Sequence, residues 1–387
     1  MKRILLINTK YRTFGGEDAN IIDELGLLKE KYIVEYLEYD NSERVNFFDV
    51  IGFFTNSNFS SNKKLQKIID SFNPDVAYVH NTWFKSNLGI FKVLKKNNIQ
   101  TLHKIHSFRF DCSRFILSSS HLKSYNYCPA CNLNRNKVGF INKYFVNSYF
   151  KSILLIIYSK KYFKLITKSN FKLLVISDFH KEYLLRLGLP KSKIYLYSNP
   201  INLSNSVRRK YKSDSNYFVY AGRLDSSKGV EELIKAWLEL GLTDFKLLII
   251  GDGDLKTYLV NSYRDKSIEF LDKVDNDEVQ GIISESKAVI TATRMYEGQP
   301  RLLCEASSLG IPSIYPSFGG MNELFPEGYE YSFKQFDYTD LKTKVLMLTD
   351  PKISTTQSKL VYEYISDRLN TRKMLNMFSK IAFGEDY

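Results

Sequence analysis

The chain has 387 residues, of which 44% are hydrophobic, so we expect two or three domains with a large buried core. It has no apolar run long enough for a membrane-spanning helix, the apolar run at its N-terminus is too short for a signal peptide, and its four cysteines are too few for a disulfide-built secreted fold. The net charge is +13 and uneven, since residues 51–200 carry +19 while residues 1–50 and 201–387 carry −3 each.

The first half contains six strand-like segments with helical stretches between most of them. The segments are RILLINT, YIVEYLEY, DVAYVH, TLHKIHS, KLLVIS and KIYLYS. This alternation predicts an α/β domain. In FGGED (14–18), between the first strand and a helix, Gly15 and Gly16 would let the backbone approach a ligand and turn N–H groups toward phosphate.

The segment at 142–172 does not fit the alternating pattern. It contains seven lysines, no acidic residue and eight Tyr or Phe residues, and Lys160, Lys164 and Lys168 recur at helical spacing. Such a face suits an anionic membrane surface. The alternative for this segment is an ordinary helix whose lysine stems lie along its packed face. The alternative explanation of the uneven charge is a lysine-rich surface that keeps the protein in solution.

The second half follows a short polar linker near SNPINLS (198–204) and alternates more regularly. Its strand-like segments are YFVYAG, FKLLIIG, SIEFL, KAVITAT and IPSIYPS, with helix-like stretches between them. Short Gly and Asp turns join them, which indicates βαβ units and a parallel sheet. Sheets of this kind bind ligands at the carboxyl ends of their strands.

The stretch YEGQPRLLCEA (296–306) places two glutamates near one helix start. Pro300 suits the first helical position, because its missing N–H would have no partner there. Glu297 then precedes the helix, near free backbone N–H groups and the positive end of the helix dipole, and Glu305 lies inside the helix. Two carboxylates facing hydroxyl groups suggest a sugar and a ribose; the alternative is two unrelated surface glutamates.

A pair of cations follows an earlier strand. In AGRLDSSKG (221–229), Arg223 offers a fixed fork for phosphate and Lys228 a mobile point charge. At the carboxyl end of a strand, beside a helix start, the two could neutralise a pyrophosphate. One arginine and one lysine five residues apart are weak evidence by themselves.

Taken together, the motifs resemble the retaining GT-B glycosyltransferases of family 4, the large group 1 of nucleotide-sugar transferases. The resemblance covers most of the chain and rests on FGGED, PDVAYVHNTW, HSFR, VISDFHKEYLLRLGL, YAGRLDSSKGVEELIKA, GDGDL, EGQPRLLCEA and SFGGMNELF. It implies an α/β fold of two doubly wound, Rossmann-like domains that face each other across a cleft. Residues 1–198 would bind the acceptor, residues 199–369 would bind the nucleotide sugar, and a last helix at about 370–387 would pack back on the first domain.

The same resemblance implies roles for single residues. Arg223 and Lys228 would bind the pyrophosphate of the donor, Glu305 the ribose hydroxyls and Glu297 the hydroxyls of the transferred sugar. His106 would lie near the sugar and the acceptor, so the implied catalytic set is His106, Glu297, Arg223 and Lys228. The further donor-binding positions would be Gly15, Gly16, Gly298, Gln299, Pro300 and Arg301. Gln299 departs from the aromatic residue that is common there, which leaves the sugar preference open.

The principal hypothesis is a metal-independent, retaining glycosyltransferase. It would move a sugar from a nucleotide-diphosphate sugar, with a UDP-sugar favoured, to a glycan or lipid-diphosphate-linked acceptor in bacterial capsule, exopolysaccharide or O-antigen synthesis. We expect no cofactor, no nucleic-acid partner and a peripheral location on the cytoplasmic face of the cell membrane. The alternatives are a nucleotide-sugar epimerase of the same fold and a catalytically inactive sugar-binding scaffold.

The cysteines and two aromatic residues each have two interpretations. Cys112, Cys128 and Cys131, with His121 or His103 as a fourth ligand, could bind zinc, but three reduced cysteines beneath a loop are favoured. In VHNTW, at the end of a strand, the histidine His80 could touch the acceptor or be a packed, hydrogen-bonded residue. Trp83 in the same motif could stack on an acceptor sugar or belong to the core.

Overall fold

The chain divides into two compact units. Unit 1 comprises Met1–Pro200 together with Thr371–Tyr387, and unit 2 comprises Ile201–Asn370. The predicted domain boundary, between 198 and 199, lies two residues before this division. The computed structural model describes residues 1–12, 15–44, 47–55, 57–108, 110, 148–203 and 215–385.

Unit 1 is built on a six-stranded sheet in which all neighbouring strands are parallel. The strands are β1 (Arg3–Lys10), β2 (Ile33–Asp40), β3 (Val76–Val79), β4 (Gln100–Ile105), β5 (Lys172–Val175) and β6 (Ile194–Leu196). Their order across the sheet is β2-β1-β3-β4-β5-β6. The residues of β3 and the apolar residues of β1 are fully buried, as expected for a parallel sheet covered on both faces.

The helices of unit 1 connect successive strands. In chain order they are α1 (Gly16–Lys29), α2 (Phe47–Thr55), α3 (Phe59–Phe72), α4 (Ile90–Lys96), α5 (Tyr149–Lys168) and α6 (Asp178–Arg186), and a short 3₁₀ helix spans Lys191–Lys193. Side-chain oxygens cap several of them: Asn58 accepts from the N–H of Ser61, and Ser148 from the N–H of Lys151. These caps satisfy backbone donors that would otherwise have no partner.

Unit 2 has a second six-stranded sheet, again parallel throughout. Its strands are β7 (Tyr217–Ala221), β8 (Lys246–Ile250), β9 (Ile268–Leu271), β10 (Ala288–Ile290), β11 (Ser313–Pro316) and β12 (Ser332–Phe333). Its helices are α7 (Val230–Leu240), α8 (Lys256–Ser262), α9 (Asn276–Glu285), α10 (Arg301–Ser308), α11 (Tyr338–Thr349) and α12 (Pro351–Arg368). The strand order is β12-β11-β10-β7-β8-β9, and a 3₁₀ helix spans Met321–Leu324.

The last helix of the chain returns to unit 1. This helix, α13 (Thr371–Phe383), buries Phe378 against the rings of Tyr32, Tyr78 and Tyr197. The Ser379 hydroxyl also hydrogen-bonds the Tyr32 hydroxyl at 2.5 Å. These contacts fix α13 to the elements that surround the sheet of unit 1.

The predicted alternation of strands and helices is confirmed in both halves, since each sheet is parallel and covered by helices. The sequence did not indicate β12, because a strand of two residues has no periodicity to detect. Within the described part of the chain, every helix is too short or too polar to cross a lipid bilayer.

Candidate functional site

In unit 2, the loops that follow β7, β8, β10 and β11 are tied together at the carboxyl edge of the sheet. The N–H of Arg294 donates to the carbonyl of Ser227 at 2.9 Å, which joins the loops after β10 and β7. The N–H of Gly320 donates to the carbonyl of Glu297 at 2.8 Å, which adds the loop after β11. Side chains from segments far apart in sequence therefore meet at this edge.

Two glycines allow these loops to approach closely. Gly229 has a φ of 65°, and a Cβ placed there would lie 2.1 Å from the carbonyl oxygen of Ala292. Gly319 has a φ of 66°, and its Cβ would lie 2.9 Å from the carbonyl oxygen of Glu297. Because only glycine tolerates both this backbone conformation and this proximity, these two positions fix the spacing of the loops.

Lys228 and Glu297 form a direct ion pair at this edge. The Nζ atom of Lys228 lies 2.5 Å from Oε1 of Glu297, and the Thr293 hydroxyl donates to the same oxygen at 3.3 Å. Their side chains are 21% and 18% exposed, so both remain reachable by a ligand. An ammonium has three protons, so Lys228 can hold Glu297 and still donate to an anionic oxygen.

Glu305 lies deeper, on α10, where three donors converge on its carboxylate. Its Oε1 accepts from Nε of Arg301 at 2.8 Å, from Nδ2 of Asn276 at 3.1 Å and from Nε2 of Gln280 at 3.2 Å. Glu305 is 3% exposed, and these bonds compensate for burying its charge. Oε2 is the remaining acceptor of this carboxylate.

Asn276 and Gln280 were not identified from the sequence. They lie four residues apart on α9, in the NDEVQ stretch that follows β9. Polar side chains at this spacing share one helix face, and the helix starts at the carboxyl edge of the sheet, so the pattern could have identified them.

Arg223 is held more loosely than Lys228. Its side chain is 65% exposed, and its Nη1 lies 3.5 Å from Oδ2 of Asp225. Its backbone is better fixed, because the Tyr220 hydroxyl donates to the Arg223 carbonyl at 2.8 Å. A guanidinium on a fixed backbone can turn toward an anionic ligand at little cost.

The start of α10 differs by one residue from the prediction. Pro300 is the N-cap, with an extended ψ of 124°, and the helix begins at Arg301. Gln299 is buried and donates through Nε2 to Sγ of Cys304 at 3.6 Å. Burial raises the pKa of the Cys304 thiol to about 12, which disfavours the nucleophilic thiolate. Because α10 begins at Arg301, the backbone of Gly298–Arg301 lies at the N-terminus of this helix.

In unit 1, His106 follows β4 and contacts another histidine. Its Nε2 lies 3.0 Å from Nδ1 of His80, and the two rings stack with centroids 5.3 Å apart. Burial, helped by the nearby Lys104 ammonium, lowers the pKa of both histidines well below the usual value. Both rings are therefore neutral near pH 7.

Gly15 and Gly16 lie at the start of α1 in unit 1. Gly15 is the N-cap, and Gly16 is the first helical residue. The N–H of Gly15 donates to Oδ2 of Asp18 at 3.0 Å, and its contact with phosphate stays a prediction. Burial raises the pKa of this Asp18 carboxyl.

The proposed zinc ligands Cys112, Cys128, Cys131 and His121 lie outside the described residues. His103 does not fit a zinc ligand, because its Nδ1 contacts the carbonyl of Val79 at 2.9 Å and its Nε2 the Tyr162 hydroxyl at 2.6 Å. Trp83 is half-buried and packs edge-on against Tyr158 at 5.0 Å. Over the described ranges, no three His, Cys, Asp or Glu side chains cluster as metal ligands would.

One known family matches a large part of unit 2. Residues 204–361 match the family model of the glycosyl transferases group 1. This match supports the predicted resemblance of unit 2 to the group 1 transferases. Membership of family 4 and a retaining mechanism stay predictions. Among curated relatives, the amylovoran biosynthesis glycosyltransferase AmsD of Erwinia amylovora is 30% identical over 157 residues, which are 37% of this chain and 42% of that protein.

A longer alignment joins the chain to an uncharacterised glycosyltransferase of Methanocaldococcus jannaschii. It is 26% identical over 261 residues, which are 61% of this chain and 64% of that protein. The matched segments therefore span less than two thirds of either curated relative.

Two solved structures share the fold over nearly the whole chain. The sucrose-phosphate synthase of Thermosynechococcus elongatus has a TM-score of 0.70 at 16% identity and covers 99% of this chain and 97% of its own. HepE of Anabaena, in complex with UDP and glucose, has a TM-score of 0.69 at 14% identity and covers 100% of both chains. The predicted GT-B class, with two α/β domains, is confirmed.

Proposed function

We propose that the protein is a retaining glycosyltransferase that moves a sugar from a nucleotide-diphosphate sugar to a glycan or lipid-linked acceptor in surface polysaccharide synthesis. One observation carries this proposal: Arg223, Lys228, Glu297 and Glu305 lie on adjoining elements at one edge of the unit 2 sheet. Amylovoran synthesis by the relative AmsD and the UDP-glucose complex of HepE support it. The chemistry of these four side chains matches the parts of such a donor.

The donor would be held by charge at one end and by hydroxyl contacts at the other. Arg223 and Lys228 would neutralise the diphosphate, and Oε2 of Glu305 would accept from the ribose hydroxyls. Glu297, fixed by Lys228, would accept from hydroxyls of the transferred sugar. Backbone N–H groups of Gly298, Gln299 and Arg301 at the start of α10 would complete the sugar pocket. A UDP-sugar is the favoured donor.

The proposed reaction develops negative charge on the leaving diphosphate. As the bond from the anomeric carbon to the phosphate oxygen breaks, the acceptor oxygen would bond that carbon on the same face, and the departing phosphate would take the acceptor proton. Lys228 and Arg223 would stabilise the developing charge, which is the role that a metal ion has in other transferases. The proposed mechanism therefore requires no metal.

We also propose contact with an anionic membrane surface through 142–172, of which 148–172 is described. Tyr149 and Phe150 on α5 are 50% and 63% exposed, and Phe47 on α2 is 73% exposed. The two helices adjoin, since the rings of Phe54 and Phe150 lie 6.2 Å apart. Exposed lysines on α5, namely Lys151, Lys164 and Lys168, add positive charge along the same helix. This combination suits a lipid surface rather than water.

Calorimetry with UDP, GDP and inorganic diphosphate tests the donor site. We expect UDP to bind wild type and the Arg223→Ala variant to bind it about 10- to 100-fold more weakly, because a charge-assisted hydrogen bond contributes about 1.5–3 kcal/mol. The matched control is Lys235→Ala, which removes an exposed cation of α7 that pairs with Glu231. Failure of wild type to bind any of the three ligands would contradict the proposed function.

A further inference from the structure

His106 is connected through His80 to a buried ion pair. Lys104 reaches both carboxylate oxygens of Glu24, at 2.9 and 3.1 Å, and the Tyr78 hydroxyl donates to Oε1 of Glu24 at 2.6 Å. The side chains of Glu24 and Lys104 are completely buried. Burial raises the pKa of Glu24, and the contacts with Lys104 and the Tyr78 hydroxyl oppose this shift and so favour the charged carboxylate.

His80 lies between this carboxylate and His106. Its Nε2 is 3.8 Å from Oε2 of Glu24, and its Nδ1 is 3.0 Å from Nε2 of His106. Its ring is 1% exposed and packs on Tyr78 with centroids 4.4 Å apart, so it cannot turn freely to exchange its two nitrogens. The neighbours on each side therefore decide which nitrogen has the proton.

A neutral imidazole has one N–H and one lone pair. A lone pair on Nε2 of His80 would face the negative carboxylate of Glu24 and be repelled, whereas an N–H would be attracted. This charge favours a proton on Nε2 of His80, with Nδ1 as the acceptor. The short contact to His106 then requires that His106 has its proton on Nε2, which leaves Nδ1 of His106 as an acceptor.

We propose that Glu24 and His80 are positioning residues that hold His106 in the Nε2–H tautomer, so that its Nδ1 accepts a hydrogen bond from a substrate hydroxyl. The substrate hydroxyl in this inference rests on the proposed function, whereas the tautomer of His106 does not. His80 and His106 line a cavity of about 20 Å³, which has room for one oxygen atom with its hydrogen. Because both rings are neutral, His106 acts here as an acceptor and not as an acid.

Nitrogen NMR of the full chain with ¹⁵N-labelled histidine tests the tautomers directly, without any ligand. We expect a pyrrole-type Nε2 and a pyridine-type Nδ1 for His106, with a slowly exchanging Nε2–H coupled across the hydrogen bond to Nδ1 of His80. A proton found on Nδ1 of His80, or no coupling between the two rings, would overturn the proposal.

Two variants at His80 separate the hydrogen bond from the packing. His80→Asn keeps an acceptor for the Nε2–H of His106 and should preserve its slow exchange, whereas His80→Phe keeps the ring but should lose that protection. If Phe preserves the protected proton as well as Asn does, the proposal is wrong. Denaturation midpoints of both variants report whether the fold is retained.

Activity gives a second readout, with UDP-glucose as the probe donor. We expect His80→Phe to lower kcat for donor cleavage about 10-fold with KM unchanged, and His80→Asn to stay near wild type. A wild-type chain that binds no nucleotide contradicts the proposed function alone, because the NMR result still decides the tautomer. An active chain with the proton on Nδ1 of His106 contradicts the tautomer assignment alone.

Discussion

At the scale of single residues, Lys228 and Arg223 carry the same charge in one loop but are held differently. Lys228 is fixed against Glu297 at 2.5 Å, whereas the Arg223 side chain is 65% exposed. A fixed ammonium keeps Glu297 oriented before a ligand arrives, and a mobile guanidinium can follow the charge of a bound phosphate. In the proposed donor site, Lys228 would therefore position Glu297, and Arg223 would neutralise the charge of the ligand.

Glu305→Gln should separate ribose binding from phosphate binding. We expect UDP affinity to fall about 10-fold and the affinity for inorganic diphosphate to stay unchanged, because an amide accepts hydroxyl hydrogen bonds more weakly than a carboxylate does. Calorimetry with both ligands measures this, and Glu330→Gln, at an exposed position of unit 2, is the control. An equal loss for both ligands would show that Glu305 affects the whole site instead.

At the scale of elements, helix α7 has a glycine with a left-handed backbone conformation at each end. Gly229, the N-cap, has a φ of 65°, and Gly241, the C-cap, has a φ of 60°. They differ in their surroundings, since a Cβ at Gly241 would meet nothing within 4 Å, whereas one at Gly229 would clash with Ala292. The N-cap thus depends on packing against the neighbouring loop, and the C-cap only on backbone conformation.

We expect Gly229→Ala to destabilise the protein much more than Gly241→Ala. The Gly241 variant should cost about 1–2 kcal/mol for the left-handed backbone, and the Gly229 variant should add the clash with Ala292 and disturb the Lys228–Glu297 pair. Urea denaturation measures the free energy of unfolding for both. Equal losses in the free energy of unfolding would mean that the loop after β7 can move away from Ala292 without a further loss of stability.

The apolar surface of α2 and α5 makes a prediction about lipid. The double variant Phe47→Ser with Phe150→Ser should lower binding to anionic vesicles at least 10-fold, because each aromatic side chain gains about 1.5–3 kcal/mol on burial. Co-sedimentation at low and high salt measures it, and binding should weaken with salt. The control is Leu346→Ser with Leu360→Ser, which alters exposed residues of unit 2. Wild type that stays unbound at low salt would contradict the membrane proposal.

At the scale of the whole molecule, buried histidines make stability depend on pH. Burial lowers the pKa of His103 to about 4 and of His180 to about 3. Below pH 6.5 the unfolded chain binds protons that the folded chain does not, so unfolding becomes more favourable as pH falls toward these values. Burial raises the pKa of Glu24, which acts in the opposite direction.

We expect the free energy of unfolding to fall on the order of several kcal/mol between pH 7 and pH 4, and to be nearly flat above pH 7. Urea denaturation across this range measures it. His180→Phe should reduce the slope, because neither ring nitrogen of His180 has a hydrogen-bond partner among the described residues and its ring packs 4.3 Å from Phe108. A variant with the wild-type slope would show that His180 does not contribute.

The sequence by itself determined the alternation of strands and helices and the candidate residues of unit 2. Parallel strands buried on both faces appear as continuous apolar runs, such as Ile4–Ile7, and Glu297 and Lys228 stand next to turn residues at strand ends. These features are local, so they can be recognised without knowledge of what lies opposite.

Only the tertiary structure decided which side chains meet. Lys228 and Glu297 are 69 residues apart, and Glu24 and Lys104 are 80 residues apart. The strand order and the approach of loops at Gly229 determine such contacts, and no local pattern encodes them. The same holds for His80: its place between an ion pair and His106 depends on three elements packed around one ring, and that packing determines which nitrogen keeps the proton.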